Sequence, residues 1–102
     1  MSEPIQLLGS AIGAVVGEWI RVHSDNNRTF QAYGTATGTI TATVTVEGSN
    51  DASHASNVDT LTLSGTTTAQ DEGTSIYPWP YIRASVTTIT GTGAAVVVTG
   101  GV

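Results

Sequence analysis

Strict alternation of apolar and polar residues runs from Thr39 to Glu47. Ile40, Ala42, Val44 and Val46 fall on one side, and Thr39, Thr41, Thr43, Thr45 and Glu47 on the other. Period two over this length predicts a half-buried antiparallel strand. A slip of one residue would bury every polar group of the segment, so the register is well specified. Tyr81 to Thr90 reads the same way, with Ile82, Ala84, Val86 and Thr88 opposing Tyr81, Arg83, Ser85, Thr87 and Ile89. Gly91-Thr92-Gly93 then predicts a short hairpin loop, and Ala94 to Thr99 a returning strand, its Val96-Val97-Val98 run suited to burial on both faces.

Weaker patterns fill the rest. Trp19 to His23 predicts a strand with Trp19, Arg21 and His23 on one face. Ser24-Asp25-Asn26-Asn27 is a turn cluster, and Arg28 to Tyr33 is the expected return strand of a hairpin. Gly48 to Asp59 reads as a long polar loop, Thr60 to Ser64 as a strand with Leu61 and Leu63 inward, Gly65 to Gln70 as its continuation after a bend, and Asp71-Glu72-Gly73 as a turn. Pro78 and Pro80 lack the ladder donor, so residues 76–80 read as an edge or corner. Before all of these lies a segment punctuated by Gly9, Gly13 and Gly17, read as an irregular arm with a first strand near Ala11 to Val16. About seven or eight short strands with turns every 8–12 residues predict an all-β, antiparallel β-sandwich of jelly-roll type. The expected organisation is an extended N-terminal arm, 1–17, and a β-sandwich domain, 18–102.

Composition sharpens this picture. Eighteen Thr, 11 Val and 7 Ile make the chain rich in β-branched residues, which favour strands over helices. Three Arg and no Lys against eight acids give a formal net charge of −5. Such a balance excludes an autonomous nucleic-acid binder and a polybasic membrane-surface binder. With no cysteine there is no disulfide, thiol catalysis or cysteine-ligated zinc. No uninterrupted apolar stretch is long enough for a membrane helix, and Met1-Ser2-Glu3-Pro4 lacks the basic start of a signal peptide, so the start is expected to be the mature one.

Candidate chemistry is sparse. His23 and His54 could serve as bases, but neither adjoins a strained Gly-x-Ser-x-Gly elbow, and both read as surface or interface histidines. The acids fall in predicted turns or at strand ends, where carboxylates are solvated, so no paired general acid and base stands out and no enzyme is expected. Asn50, Asp51, Asn57 and Asp59 are oxygen donors of the kind calcium takes, without EF-hand spacing; the same residues are good loop formers, and no metal or other cofactor is expected. Trp19, Tyr33, Tyr77, Trp79 and Tyr81 could make a sugar-stacking platform, but Trp79 between two prolines reads first as a plug at one end of the sandwich. The Thr39/Thr41/Thr43/Thr45 ladder is a single strand and not the repeated array an ice-binding face needs.

Two stretches carry a resemblance. Val44-Thr45-Val46-Glu47-Gly48-Ser49-Asn50-Asp51, followed by the run from Pro78 through Trp79, Pro80, Tyr81, Ile82 and Arg83 to Ala94, resembles small virion proteins of tailed bacteriophages, of the head decoration or cement type. It spans roughly residues 40–100. The order is also similar to discoidin-like carbohydrate-binding sandwiches, although Ala52-Ser53-His54-Ala55 stands where such proteins often carry an aromatic residue.

The resemblance implies a structural virion protein, made in the host cytoplasm, that sits on the outer surface of the head and stabilises contacts between major capsid protein subunits, with a homo-oligomer, dimer or trimer, expected. The alternative it leaves open is a carbohydrate- or receptor-binding module of a phage tail. An acidic chain suits the outside of a DNA-filled shell. An uncharged apolar arm can order on a partner, which makes Ile5, Leu7, Leu8, Ile12, Val15 and Trp19 the expected capsid-binding residues. Tyr77, Trp79 and Tyr81 are the expected ligand or interface aromatics.

Overall fold

A computed structural model describes residues 4–21, 28–75 and 79–101. Among these residues seven antiparallel strands form one sheet: β1 (Pro4–Ala11), β2 (Val15–Val16), β3 (Ile20–Arg21), β4 (Arg28–Ser49), β5 (Ser56–Ser75), β6 (Tyr81–Thr90) and β7 (Ala95–Gly101). Their order is β1-β7-β4-β6-β2, with β3 on β6 and β5 on the other edge of β4. The all-β, jelly-roll-like reading holds.

The sandwich arises because this sheet folds over itself. β4 is 22 residues long and β5 is 20. They pair from Arg28↔Ser75 to Gly48↔Ser56, interrupted where Thr35↔Thr68 gives way to Thr39↔Thr66. Three residues of β4 there oppose Thr67 alone, whose φ of 62° is left-handed. A bulge of this kind bends a strand sharply. At the same level β6 ends opposite Thr41 and β7 begins opposite Thr35. Between them Gly91 has φ 130° and Gly93 φ 65°, and Thr37 N donates to Thr92 O at 2.9 Å. One layer therefore holds β1, β7 and the adjoining halves of β4 and β5. The other holds the remaining halves with β6, β2 and β3.

Period two then decides what is buried. Ile40, Ala42, Val44 and Val46 are each 0% exposed, as the alternation requires. Leu61, Leu63, Ile82, Ala84 and Val86 join them from the same layer, and Leu7, Ala11, Phe30, Ala32, Ala69, Val96 and Val98 come from the facing layer. At the bend the layers touch closely: a side chain on Gly34 would meet Ile40 Cδ1 at 2.7 Å. Asp71 of one layer accepts from Thr62 N of the other at 2.9 Å and from Glu72 N at 2.9 Å.

Five expectations change. Residues 4–11 are not a free arm: β1 pairs with β7 from Pro4↔Gly101 to Ala11↔Val96, and Leu7 is core because Gly100 leaves room for it. β3 does not pair with β4 as a hairpin; both edges of β4 near Thr29 are taken, by β5 and β7, so β3 pairs with β6. β6 and β7 run end to end along one edge of β4 instead of pairing with each other. Asp71-Glu72-Gly73 is strand, opposite Ala32, Gln31 and Phe30. The polar loop shortens to 50–55, since Asn57 and Asp59 pair with Glu47 and Val46.

Candidate functional site

Between β1 and β2 the chain crosses from one layer to the other, and there it leaves apolar side chains outside. Ile12 is 81% exposed, Val16 65% and Val15 41%. Leu8 is half-buried against the core, whereas Leu7 lies within it. Gly17 makes the crossing possible: its N–H donates to Ala84 O at 3.0 Å, and a side chain there would collide with that same carbonyl. Behind the crossing runs a groove of about 430 Å³, walled by Gln6 to Gly9 on one side and by Val15 to Glu18 and Ile20 on the other.

Of the six expected docking residues, the structure thus leaves Ile12 and Val15 free, buries Leu7 and half-buries Leu8. Ile5 pairs through its backbone with Gly100, and its side chain lies outside the description. Trp19 is half-buried under Arg83, whose guanidinium lies 4.4 Å from the ring centroid. Arg83 Nε also donates to Glu47 Oε1 at 2.9 Å. Val16 was missed, although its neighbour was chosen. In a two-residue edge strand both valines remain accessible, which strict alternation does not anticipate.

The aromatic residues do not form one platform. Tyr33 stands on the outer face of the layer opposite that of Trp19 and Tyr81. Tyr81 accepts from Arg21 Nη1 at 3.2 Å beneath the same guanidinium. Trp79 packs against the core and lies over Gly48, the plug its two prolines indicated. Tyr77 and His23 lie outside the described residues.

The loop at 50–55 is organised by one carboxylate. Asp51 Oδ1 accepts from the amides of His54 and Ser53 and from the Ser49 hydroxyl, each at 2.9 Å, and Oδ2 pairs with His54 Nδ1 at 2.7 Å. These hydrogen bonds, led by the His54 amide, hold the carboxyl well below the usual range. With its oxygens so engaged, Asp51 does not converge with Asp59, which accepts from Thr60 N at 2.8 Å within β5. Among the described residues no three His, Asp or Glu side chains gather as metal ligands.

The Thr ladder proves broader than one strand. Register places Thr60–Thr45–Ser85, Thr62–Thr43–Thr88, Ser64–Thr41–Thr90 and Thr66–Thr39 in successive rows across β5, β4 and β6. This outer face is uncharged and hydroxyl-rich. Cross-strand Thr pairs contribute a few tenths of a kcal/mol each, up to about 1 kcal/mol, so the face accounts for part of the sheet's own stability.

No protein-family model matches the chain, and no curated protein sequence matches it. The fold is similar to that of the SPBc2 prophage-derived protein YomS, with a TM-score of 0.68 and 12% identity, covering 99% of this chain and 91% of that one. It is also similar to a chain in the structure of infectious bursal disease virus Gx strain, with a TM-score of 0.50 and 8% identity, covering 99% of this chain and 30% of that one. The likeness is one of fold. It defines the class, a jelly-roll-like antiparallel sandwich that also occurs in a prophage-derived protein and in a virus structure.

Proposed function

We propose that this chain is a structural protein of a phage particle, and that it binds the outer surface of the head as a decoration protein, stabilising contacts between major capsid protein subunits. The observation that carries the reading is the exposed apolar crossing at Ile12, Val15 and Val16 on an otherwise tightly paired, acidic sandwich. Fully burying an aliphatic side chain stabilises by about 2 kcal/mol. Weighted by the exposure of these three, the gain is about 4 kcal/mol per copy before ordering costs. That is weak for one contact and ample when repeated over a symmetric shell. The sequence resemblance to head decoration proteins and the fold shared with a prophage-derived protein support the same reading.

The experiment uses undecorated capsids of the phage that encodes the chain. Wild type should co-sediment with them, while Ile12→Lys/Val16→Lys should not, with its unfolding midpoint unchanged because both positions are exposed. Equal binding by the variant, or recovery of the chain from purified tails and not from heads, would overturn the proposal.

A further inference from the structure

The sheet ends on edges that are guarded very differently. β5 is a long edge strand, and it is blunted from within: Asp59 accepts from Thr60 N, and Asp71 from Thr62 N and Glu72 N. Inward-pointing carboxylates on an edge are a known protection against strand addition. Among the described residues, the edge formed by β2 and β3 carries no inward carboxylate of this kind. Among the described residues β2 and β3 pair only with β6. Gly17 N–H points to Ala84 O, so alternation turns the backbone groups of Val16 away from β6. Beside it, across the groove, lies β1, whose described pairing is to β7.

We propose that this groove takes an extended, mainly apolar segment carrying a basic residue, supplied by a different polypeptide and added as a strand along β2 and β3. Main-chain pairing would give affinity, and alternate side chains would enter between Leu8, Val15 and Ile20. Charge selects the partner. Among the described residues Glu18 is the only charged one lining the groove, and the chain carries −5 overall, so a second copy would bring like charge to like charge. Size argues the same way. Nine of the described residues line the groove, against about 20–30 per side in a stable pairwise complex. A segment repeated across a lattice meets that shortfall by avidity. The inference rests on the capsid reading only for where the segment comes from.

Two measurements test it. First, amide spectra of the intact chain are recorded with an eight-residue peptide alternating valine and threonine around one lysine, and with the same peptide N-methylated at alternate residues. Shifts confined to Gln6–Gly9 and Val15–Ile20, seen with the first peptide and not the second, are expected. No shift at millimolar peptide, equal shifts with both, or concentration-dependent shifts of the chain alone at these residues would overturn the proposal; the last would assign the groove to a second copy. Second, the cysteine-free sequence allows a single photocrosslinker at Val16→Cys, with Thr62→Cys on the guarded edge as control, on capsids of the encoding phage. Crosslinks several-fold stronger at Val16→Cys, mapping to one segment of the shell subunit, are expected. Chains that co-sediment without crosslinking there refute strand addition and leave the capsid reading intact. Wild-type chains that do not co-sediment refute the capsid reading, and the peptide spectra still decide the groove.

Discussion

Trp79 and Gly48 form a pair whose energetics can be worked from their contact. A methyl group on Gly48 would come within 2.6 Å of Trp79 Cδ1 and 2.8 Å of Cδ2, striking the indole face and not a flexible chain end. The ring cannot swing away cheaply, because Pro80 follows it and the core lies beneath. Overpacking of this kind costs about 1–3 kcal/mol, so Gly48→Ala should destabilise by about 2 kcal/mol, lowering the melting temperature by roughly 8–16 °C in a domain of this size. Trp79→Ala removes the ring. Its covered area and the cavity left behind put the loss at about 3 kcal/mol, the low end for a large aromatic, since Trp79 is not fully buried.

The double variant distinguishes this account from others. With the ring gone, the alanine methyl of Gly48→Ala has open space, so the double variant should be about as stable as Trp79→Ala alone. The coupling is then about 2 kcal/mol, well outside the roughly 0.5 kcal/mol expected of independent sites. Urea denaturation of the four proteins measures it. If the two losses simply add, Trp79 does not rest on Gly48, and its assignment as a plug falls with it.

Asp71→Ala strips the acceptor from Thr62 N–H and Glu72 N–H at a half-exposed site, so a loss of about 1–2 kcal/mol is expected, together with light scattering at high concentration from the newly open β5 edge; unchanged stability and clear solutions would refute the edge-guard account. Ser85→Ala removes a buried hydroxyl oxygen that has no hydrogen-bond partner among the described residues. It should therefore be neutral or stabilising by up to about 1 kcal/mol, and a clear loss in thermal unfolding would show that the hydroxyl has a partner. The Asp51 carboxyl is depressed in the fold, so its contribution is complete above the unfolded carboxylate pKa, about 4, and is lost as pH falls through the folded value. Its carbon resonance should stay constant from pH 7 to about 4 and move only in stronger acid, whereas a midpoint in the ordinary range would refute the hydrogen-bond geometry.

The strands were more legible than their partners. Thr39–Glu47 announces itself because it is solvated on one face, which stamps period two on the sequence; Tyr81–Thr90 keeps the expected alternation only to Val86, where a bulge turns Thr88 outward and Ile89 toward the core. Pairing leaves no such stamp. Nothing local in Arg28–Tyr33 says that β5 and β7 will occupy both its edges and exclude the preceding strand. Asp71-Glu72-Gly73 mimics a turn because its residues serve tertiary ends: Asp71 reaches across the layers to Thr62, and Gly73 leaves room for Asp59 and Leu61. Glycine at 9, 13 and 17 likewise disguised β1 and the crossing, where close backbone approach and not flexibility is the requirement at Gly17. The candidate site was half legible. Apolar residues on a polar background marked Ile12 and Val15, but only the topology separates them from Leu7, which has the same character and faces the core.

The absence of lysine gives the edges their logic. Lysine is the usual guard of a strand edge, and this chain has none. Carboxylates must do that work, and a carboxylate can satisfy only donors. It can do so only where the backbone brings Asp within reach of an outward N–H. The bend in β5 creates that situation for Asp71, which it folds back onto Thr62, while Asp59 reaches the amide of the next residue, Thr60. β2 is Val15–Val16 alone, too short and too far from any bend for such a device, and the exposed Ile12 precedes it. A fold that spends its guards on one edge and leaves apolar residues on the other is polarised, with a face that refuses strands and a face that can accept one. That polarity follows from where the sheet bends, and it would survive any change in the identity of the partner.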